Sequence, residues 1–316
     1  VGSHDADAAH EMSAPSSRTL PLDRARLRRM RLPEPDSEGD KEDRGRVLVI
    51  GGGAAVPGAI VLSGIAALRA GAGKLQLATT RDASIIAGMT VPEAMVIPLP
   101  AGRKGEIAPN AAGALKDVLE HAHAVLIGPG MLDEKACREL LERLLPSLRG
   151  ATLVIDAGAL AELGRIRRKV RDADADVILT PHAGEMAKLL GVTQASVEAD
   201  PLGMAQRAAD EFDATVALKG AETFVVPRRG TALRYDGGTI GLATSGSGDT
   251  LAGVITGLAA RGADPLRAAA WGVYLHGAAG RTLGRRVGRL GYLARELLDE
   301  IPAEIRRVAG GRRGSR

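Results

Sequence analysis

The residues with the clearest chemical potential are Gly246-Ser247-Gly248-Asp249, inside the stretch 241–254. A glycine-rich turn opens a helix there. Leu251, Val254, Ile255 and Leu258 follow at i, i+3, i+4 and i+7, the spacing of one buried helical face. Residues 244–248 can turn tightly and leave backbone N–H groups free, and with the helix dipole these make an anion site. Asp249 falls in the first helical turn, where negative charge is favoured, so its pKa is expected to be low. A carboxylate beside an anion hole can take a proton from a hydroxyl. The N–H groups of Gly246, Ser247 and Gly248 would meanwhile hold the phosphoryl group arriving on that oxygen. Asp249 can also serve as a plain helix cap. Two glycines crowding the cap favour the chemical use.

Three further polar clusters follow short apolar runs. Thr180-Pro-His182-Ala-Gly-Glu185 offers a donor and a carboxylate, with Glu185 placed equally well to close a capping box. Lys219-Gly220-Ala221-Glu222-Thr223 is either a hairpin turn or a lysine meeting nucleotide phosphates. Gly128-Pro129-Gly130 is a rigid turn or a close approach to a ligand's phosphate or sugar. Two nucleotide signatures are excluded. The segment at Gly71-Ala-Gly73-Lys74-Leu75 lacks the Ser/Thr and glycine spacing of a P-loop, and Gly51-Gly-Gly53-Ala-Ala-Val56 has Val where a dinucleotide fingerprint needs its third glycine. Cys137 lies in a predicted helix and reads as inert packing.

The elements that must position these groups alternate. Apolar strand runs are read at 46–50, 74–78, 94–98, 124–127, 152–155, 177–179, 215–218 and 223–226, the last as a hairpin partner. Helices are read at 58–71, 110–122, 133–148, 249–261, 265–283 and 290–301. This is an α/β pattern: a mostly parallel sheet covered by helices on both faces. Ligands in such sheets sit beyond the carboxyl ends of the strands, where every cluster above falls. Residues 1–45, rich in Ser, Pro, Asp, Glu and Arg, are expected to be a disordered or loosely attached tail. Residues 46–307 form the domain, and 308–316 are a basic tail.

With 316 residues and 45% apolar content the chain can bury a substantial core, and at 2% aromatic that core must be Ala, Val, Leu and Ile. The net charge of +4 resides largely in Arg-rich ends, without the aromatic-bearing basic patches of single-strand binders, so nucleic acid is not an expected partner. One cysteine permits no intrachain disulfide and fits a reducing cytoplasm. No apolar run reaches the roughly 18 residues of a membrane span, and no secretory leader is read.

The Gly-Ser-Gly-Asp helix start, Thr-Pro-His-x-Gly-Glu, Lys-Gly-x-x-Thr and Gly-Pro-Gly together resemble the ADP/ATP-dependent NAD(P)H-hydrate dehydratases of the ribokinase-like superfamily. Residues 56–59, 67–73, 91–95 and Tyr274-Leu-His-Gly277 match as well, so the likeness runs from about Arg46 to Ile301. It implies repair of hydrated NADH or NADPH: a nucleotide phosphorylates the ring hydroxyl, phosphate leaves, and the double bond returns. Asp249 would be the base. Lys219, Gly220, Ala221, Glu222, Thr223 and Gly248 would hold ADP (or ATP), with ADP giving AMP. Ala59, Gly130, His182 and Asp249 would contact the hydrate. Mg2+ would assist, with Glu185 reaching it through water. A homotetramer is implied too.

The alternatives are a ribokinase-like vitamin-precursor kinase and a non-catalytic ADP sensor. His182 stands where such kinases have Asn, which favours the dehydratase. Three departures from the family pattern are Gly158 in place of an Asp, Ala183 in place of a Pro, and no aromatic before Pro57. The epimerase domain fused to many bacterial members is not expected, residues 1–45 being too few to hold it.

Overall fold

Short aliphatic runs build the sheet, and their alternation decides its two faces. The computed structural model describes residues 19–34 and 40–310. Its strands are β1 (Leu20–Pro21), β2 (Arg46–Ile50), β3 (Lys74–Thr80), β4 (Met95–Leu99), β5 (Ala124–Ile127), β6 (Ala151–Ile155), β7 (Ala175–Leu179), β8 (Thr215–Leu218), β9 (Thr223–Val226) and β10 (Leu233–Tyr235). They form one sheet in the order β1-β10-β9-β8-β7-β6-β5-β2-β3-β4. From β8 to β4 every pairing is parallel, and β9 runs antiparallel to both neighbours.

Side chains of successive strand residues point to opposite faces. Val47, Val49, Ala124 and Leu126 join a core with helices Gly58–Arg69, Ser247–Ala260, Pro265–Arg286 and Ala294–Ala309. Leu48, Ile50, Val125 and Ile127 join the opposite core with helices Glu134–Leu144, Ala183–Leu190 and Pro201–Phe212. Both faces are thus buried, as parallel sheets require. The strand order reverses between β5 and β2, and the crevice at the carboxyl ends of these strands is where such sheets take ligands. Among the described residues no helix is long and apolar enough to cross a membrane.

One helix pair sets the geometry of this crevice. Helices Gly58–Arg69 and Ser247–Ala260 run parallel at very close range. A Cβ added at Gly253 would overlap the Ser63 carbonyl oxygen, and one at Gly257 would overlap that of Ala67. Both contacts advance by one turn on each helix. One turn back, the same register sets Asp249 beside Ala59. Two helix amino ends therefore meet at the ligand end of the sheet. Gly253→Val drives a branched side chain into backbone. We expect a loss above about 4 kcal/mol, or no folded protein at all, in urea denaturation.

Residues 20–34 correct the expected loose tail. β1 pairs with β10, Leu22 and Leu27 are buried, and Trp271 Nε1 donates to the Met30 carbonyl at 2.6 Å. The arginines that read as a charged tail form the exposed side of the short helix Arg24–Arg29, which hides Leu27. Helix Ala294–Ala309 likewise continues past 307, with Val308 buried. Residues 1–18, 35–39 and 311–316 of the two expected tails lie outside the described residues. The helix read at 110–122 is a 3-10 turn over Pro109–Leu115 followed by one α-turn, Lys116–Leu119.

Candidate active site

The turn before helix Ser247–Ala260 owes its shape to Gly246, which sits at φ +85° and would clash through any Cβ with Leu62. The turn closes on itself, because the Ser247 N–H donates to the Thr244 carbonyl at 3.2 Å. That removes the Ser247 amide from the expected anion hole. Among the described residues no protein acceptor meets the N–H groups of Gly246, Gly248 or Asp249, so these three stay free at the helix mouth, as do those of Thr244 and Ser245 in the turn before it.

Asp249 does not have the low pKa expected from the helix dipole. Burial first, and then the Asp156 carboxylate, push it up to about 7, with Glu185 adding to the rise and Lys219 opposing it. The dipole contributes a fraction of a charge, whereas two carboxylates arrive from other elements. Asp156, at the carboxyl end of β6, is 1% exposed and accepts hydrogen bonds from Thr180 Oγ1 at 2.7 Å and Lys219 Nζ at 2.9 Å. Lys219 Nζ also lies 3.7 Å from Glu185 Oε2. It sits 3.5 Å from the position a Cβ on Gly248 would take. Burial pulls this ammonium down, but Asp156 and Glu185 outweigh it and hold it above the usual lysine range. One cation thus serves three carboxylates at the mouth of the helix.

Beside this cluster opens a cleft of about 740 Å³. Lys219, Gly220, Ala221, Thr223 and Gly248 line it, as does His182. Glu222 does not. Its carboxylate turns outward to Arg234, at 3.1 Å. The Lys219 segment is the turn of the β8–β9 hairpin, and it aims the lysine toward Asp156 and Glu185. At residues 182–185 the capping box is realised. His182 Nδ1 accepts from the N–H groups of Gly184 and Glu185, and Glu185 Oε2 accepts from the His182 N–H at 2.8 Å. A parallel bridge between His182 and Lys219 ties the two segments.

Ala59 and Gly130 meet outside the cleft. A Cβ on Gly130 would come 2.9 Å from that of Ala59. Gly158 stands where Met131 O leaves no room for a Cβ, so a carboxylate there would need the chain at Met131 to move. Cys137 is fully buried, its thiol pushed up to about 12 chiefly by burial, as inert packing requires. Sequence reasoning gave no role to Asp156, although a lone acid directly after the apolar run Leu153-Val154-Ile155 is a signal. It also passed over Tyr235, Thr239, Leu242 and Val273, which supply much of the cleft wall. Those residues carry no polar motif.

Unbonded amides at a helix mouth, a carboxylate beside them and a cleft at the carboxyl ends of a mostly parallel sheet go with a ribokinase-like fold, one shared with a solved ribokinase-like superfamily protein of Enterococcus faecalis at a TM-score of 0.77 and 28% identity. Residues 47–303 match the model of the NAD(P)H-hydrate dehydratase family, and the chain belongs to that family. It is 47% identical to an ADP-dependent (S)-NAD(P)H-hydrate dehydratase of Xanthomonas campestris, over 95% of this chain and all of that one. It is 34% identical to the bifunctional NAD(P)H-hydrate repair enzyme of Escherichia coli, covering 83% of this chain but only 47% of that enzyme. The chain thus spans about half the length of that bifunctional relative. A Bacillus subtilis ADP/ATP-dependent NAD(P)H-hydrate dehydratase, crystallised with ATP and Mg2+, superposes with a TM-score of 0.79 at 29% identity over 92% of this chain and 99% of that one.

Proposed function

We propose that this chain dehydrates the S form of hydrated NADH and NADPH at the expense of ADP. The carrying observation is Asp249 in the first turn of helix Ser247–Ala260, beside the unbonded amides of Gly246 and Gly248, with the register of the two close helices bringing that turn to Ala59. The hydrate's ring hydroxyl would lie against Asp249, with the nucleotide in the 740 Å³ cleft. Asp249 takes the hydroxyl proton as that oxygen attacks the terminal phosphorus of ADP, and AMP leaves with the electrons of the broken P–O bond. The amides of Gly246, Gly248 and Asp249 and the Lys219 ammonium receive the charge spread over the transferring phosphoryl oxygens. Phosphate then departs with the electron pair of the C–O bond, the neighbouring ring carbon loses a proton, and the double bond is restored. Hydroxide is a poor leaving group and phosphate a good one, which is the reason for the first step.

Mg2+ fits this donor set as a guest of the nucleotide. Among the described residues no three side chains could cage a metal ion. Yet three carboxylates share one lysine here, and this surplus of hard oxygen ligands suits an ion that keeps most of its waters and binds through one or two carboxylates plus phosphates. Glu185, with one oxygen committed to the His182 N–H, would reach it through water. When bound, the ion neutralises phosphate charge.

Neither the vitamin-kinase nor the sensor reading is favoured by the relatives. Incubation with hydrated NADH, ADP and Mg2+ tests the proposal. Recovery of the reduced-nicotinamide absorbance, with AMP and inorganic phosphate released in equal amounts, is expected. ADP consumption on a vitamin alcohol without such recovery would point to the kinase, and binding without turnover to the sensor.

A further inference from the structure

Ser247 and His276 form a buried polar pair with no part in the chemistry above. Ser247 Oγ lies 2.8 Å from His276 Nε2, and the residues are 3% and 9% exposed. They come from different helices, Ser247–Ala260 and Pro265–Arg286, and both line the cleft among Leu242, Leu251 and Val273. A polar pair in an apolar wall is costly unless its hydrogen bonds are satisfied. Burial pushes the imidazole down to about 4, so it is neutral at pH 7 and carries a single N–H.

The two tautomers present different surfaces to a phosphate. With the proton on Nδ1, Nε2 accepts the serine hydroxyl hydrogen, and Oγ turns lone pairs toward the cleft. An anion is then repelled. With the proton on Nε2, the imidazole donates to Oγ, and the hydroxyl hydrogen is free to point at the ligand. Ser247 has no other donor to give, because its backbone N–H is already bonded to Thr244 O. Its hydroxyl also sits one residue from the unbonded Gly248 amide, on the same turn.

We propose that His276 is a positioning residue that, as its Nε2–H tautomer, holds the Ser247 hydroxyl as a donor to the terminal phosphoryl group of the bound nucleotide. This rests on the nucleotide occupying the cleft. The pair replaces the donor lost when the Ser247 amide closed the turn. It favours ADP over AMP, because AMP lacks the phosphoryl group the hydroxyl meets. It acts through Ser247 alone, so either partner's removal forfeits the whole effect.

The test is isothermal titration of ADP and of AMP into the wild-type protein, Ser247→Ala, His276→Leu, the double variant and His276→Gln, each first checked for cooperative thermal unfolding. Each single variant should bind ADP about tenfold more weakly and AMP almost unchanged, the usual scale for a lost hydrogen bond to a charged group. The double variant should be no worse than either single one. His276→Gln, which can place an amide donor near the Nε2 position, should recover most of the loss. Nitrogen-15 shifts of His276 should show a protonated Nε2 at pH 7. Multiplying losses in the double variant, equal weakening of ADP and AMP, or a protonated Nδ1 would each overturn the proposal. A wild-type protein that binds no ADP would instead remove the nucleotide reading on which it stands.

Discussion

Asp249→Asn is expected to lower turnover by about 10²- to 10⁴-fold, the range for a lost general base, while ADP affinity stays within about threefold. The amides that hold the phosphoryl group belong to the backbone and survive the change. The same substitution should stabilise the fold. Asp249 titrates near 7 in the folded protein against a reference of 3.8. A carboxyl raised in this way favours folding while protonated, and that advantage is lost as pH rises from about 4 through 7. The neutral amide never loses it. Thermal unfolding of Asp249→Asn should therefore match wild type near pH 4 and exceed it by an amount worth about 2–4 kcal/mol at pH 8, after allowing for partial exposure. A catalytic group that costs stability when charged is the expected signature of a site built for reaction. The matching kinetic result is a kcat/KM for the hydrate that rises with pH and levels off above about 7. A variant that keeps near-normal turnover removes the proton-transfer role.

Lys219→Met should be more damaging to the fold and should move the pH profile in a known direction. Asp156 is 1% exposed and would keep Thr180 as its hydrogen-bond partner, without its cation. Breaking a buried pair in this way costs about 3–5 kcal/mol. Lys219 holds the Asp249 pKa down, so its removal raises that pKa and shifts the acid limb of kcat/KM to higher pH. ADP affinity should fall as well, because two phosphates would then face three carboxylates with no ammonium between them. Urea denaturation and a pH–rate profile on one preparation check both halves. An unmoved acid limb would show that Lys219 does not face Asp249 in the working enzyme.

Much of this site could be read before any coordinates, for physical reasons that are local. β2 and β5 each carry a run of four apolar residues followed by glycine, and a strand covered on both faces looks like that. The helix after Gly246 carries its own period. The capping box at His182 and Glu185 is a four-residue pattern. What escaped depends on partners distant in sequence. β1 has two residues and therefore no period, and only β10 gives it a place. Helix Arg81–Thr90 exposes Ile85, Ile86 and Met89, so its apolar residues do not mark a core face. Helix Pro201–Phe212 buries mostly alanines, which give weak contrast. The Asp249 pKa was misjudged for the same reason. The dipole of its own helix is visible in the sequence, whereas Asp156 and Glu185 reach it only through the sheet.

The central claim is that the ring hydroxyl becomes the oxygen bridging carbon and phosphorus. Hydrated NADH carrying oxygen-18 in that hydroxyl, converted in one turnover with unlabelled ADP, tests it most directly. The account predicts one oxygen-18 in each phosphate released, as read by mass spectrometry, and none in water beyond background. Unlabelled phosphate with the label in water would mean that hydroxide left without ever being phosphorylated, and the role given to Asp249 would fall with it.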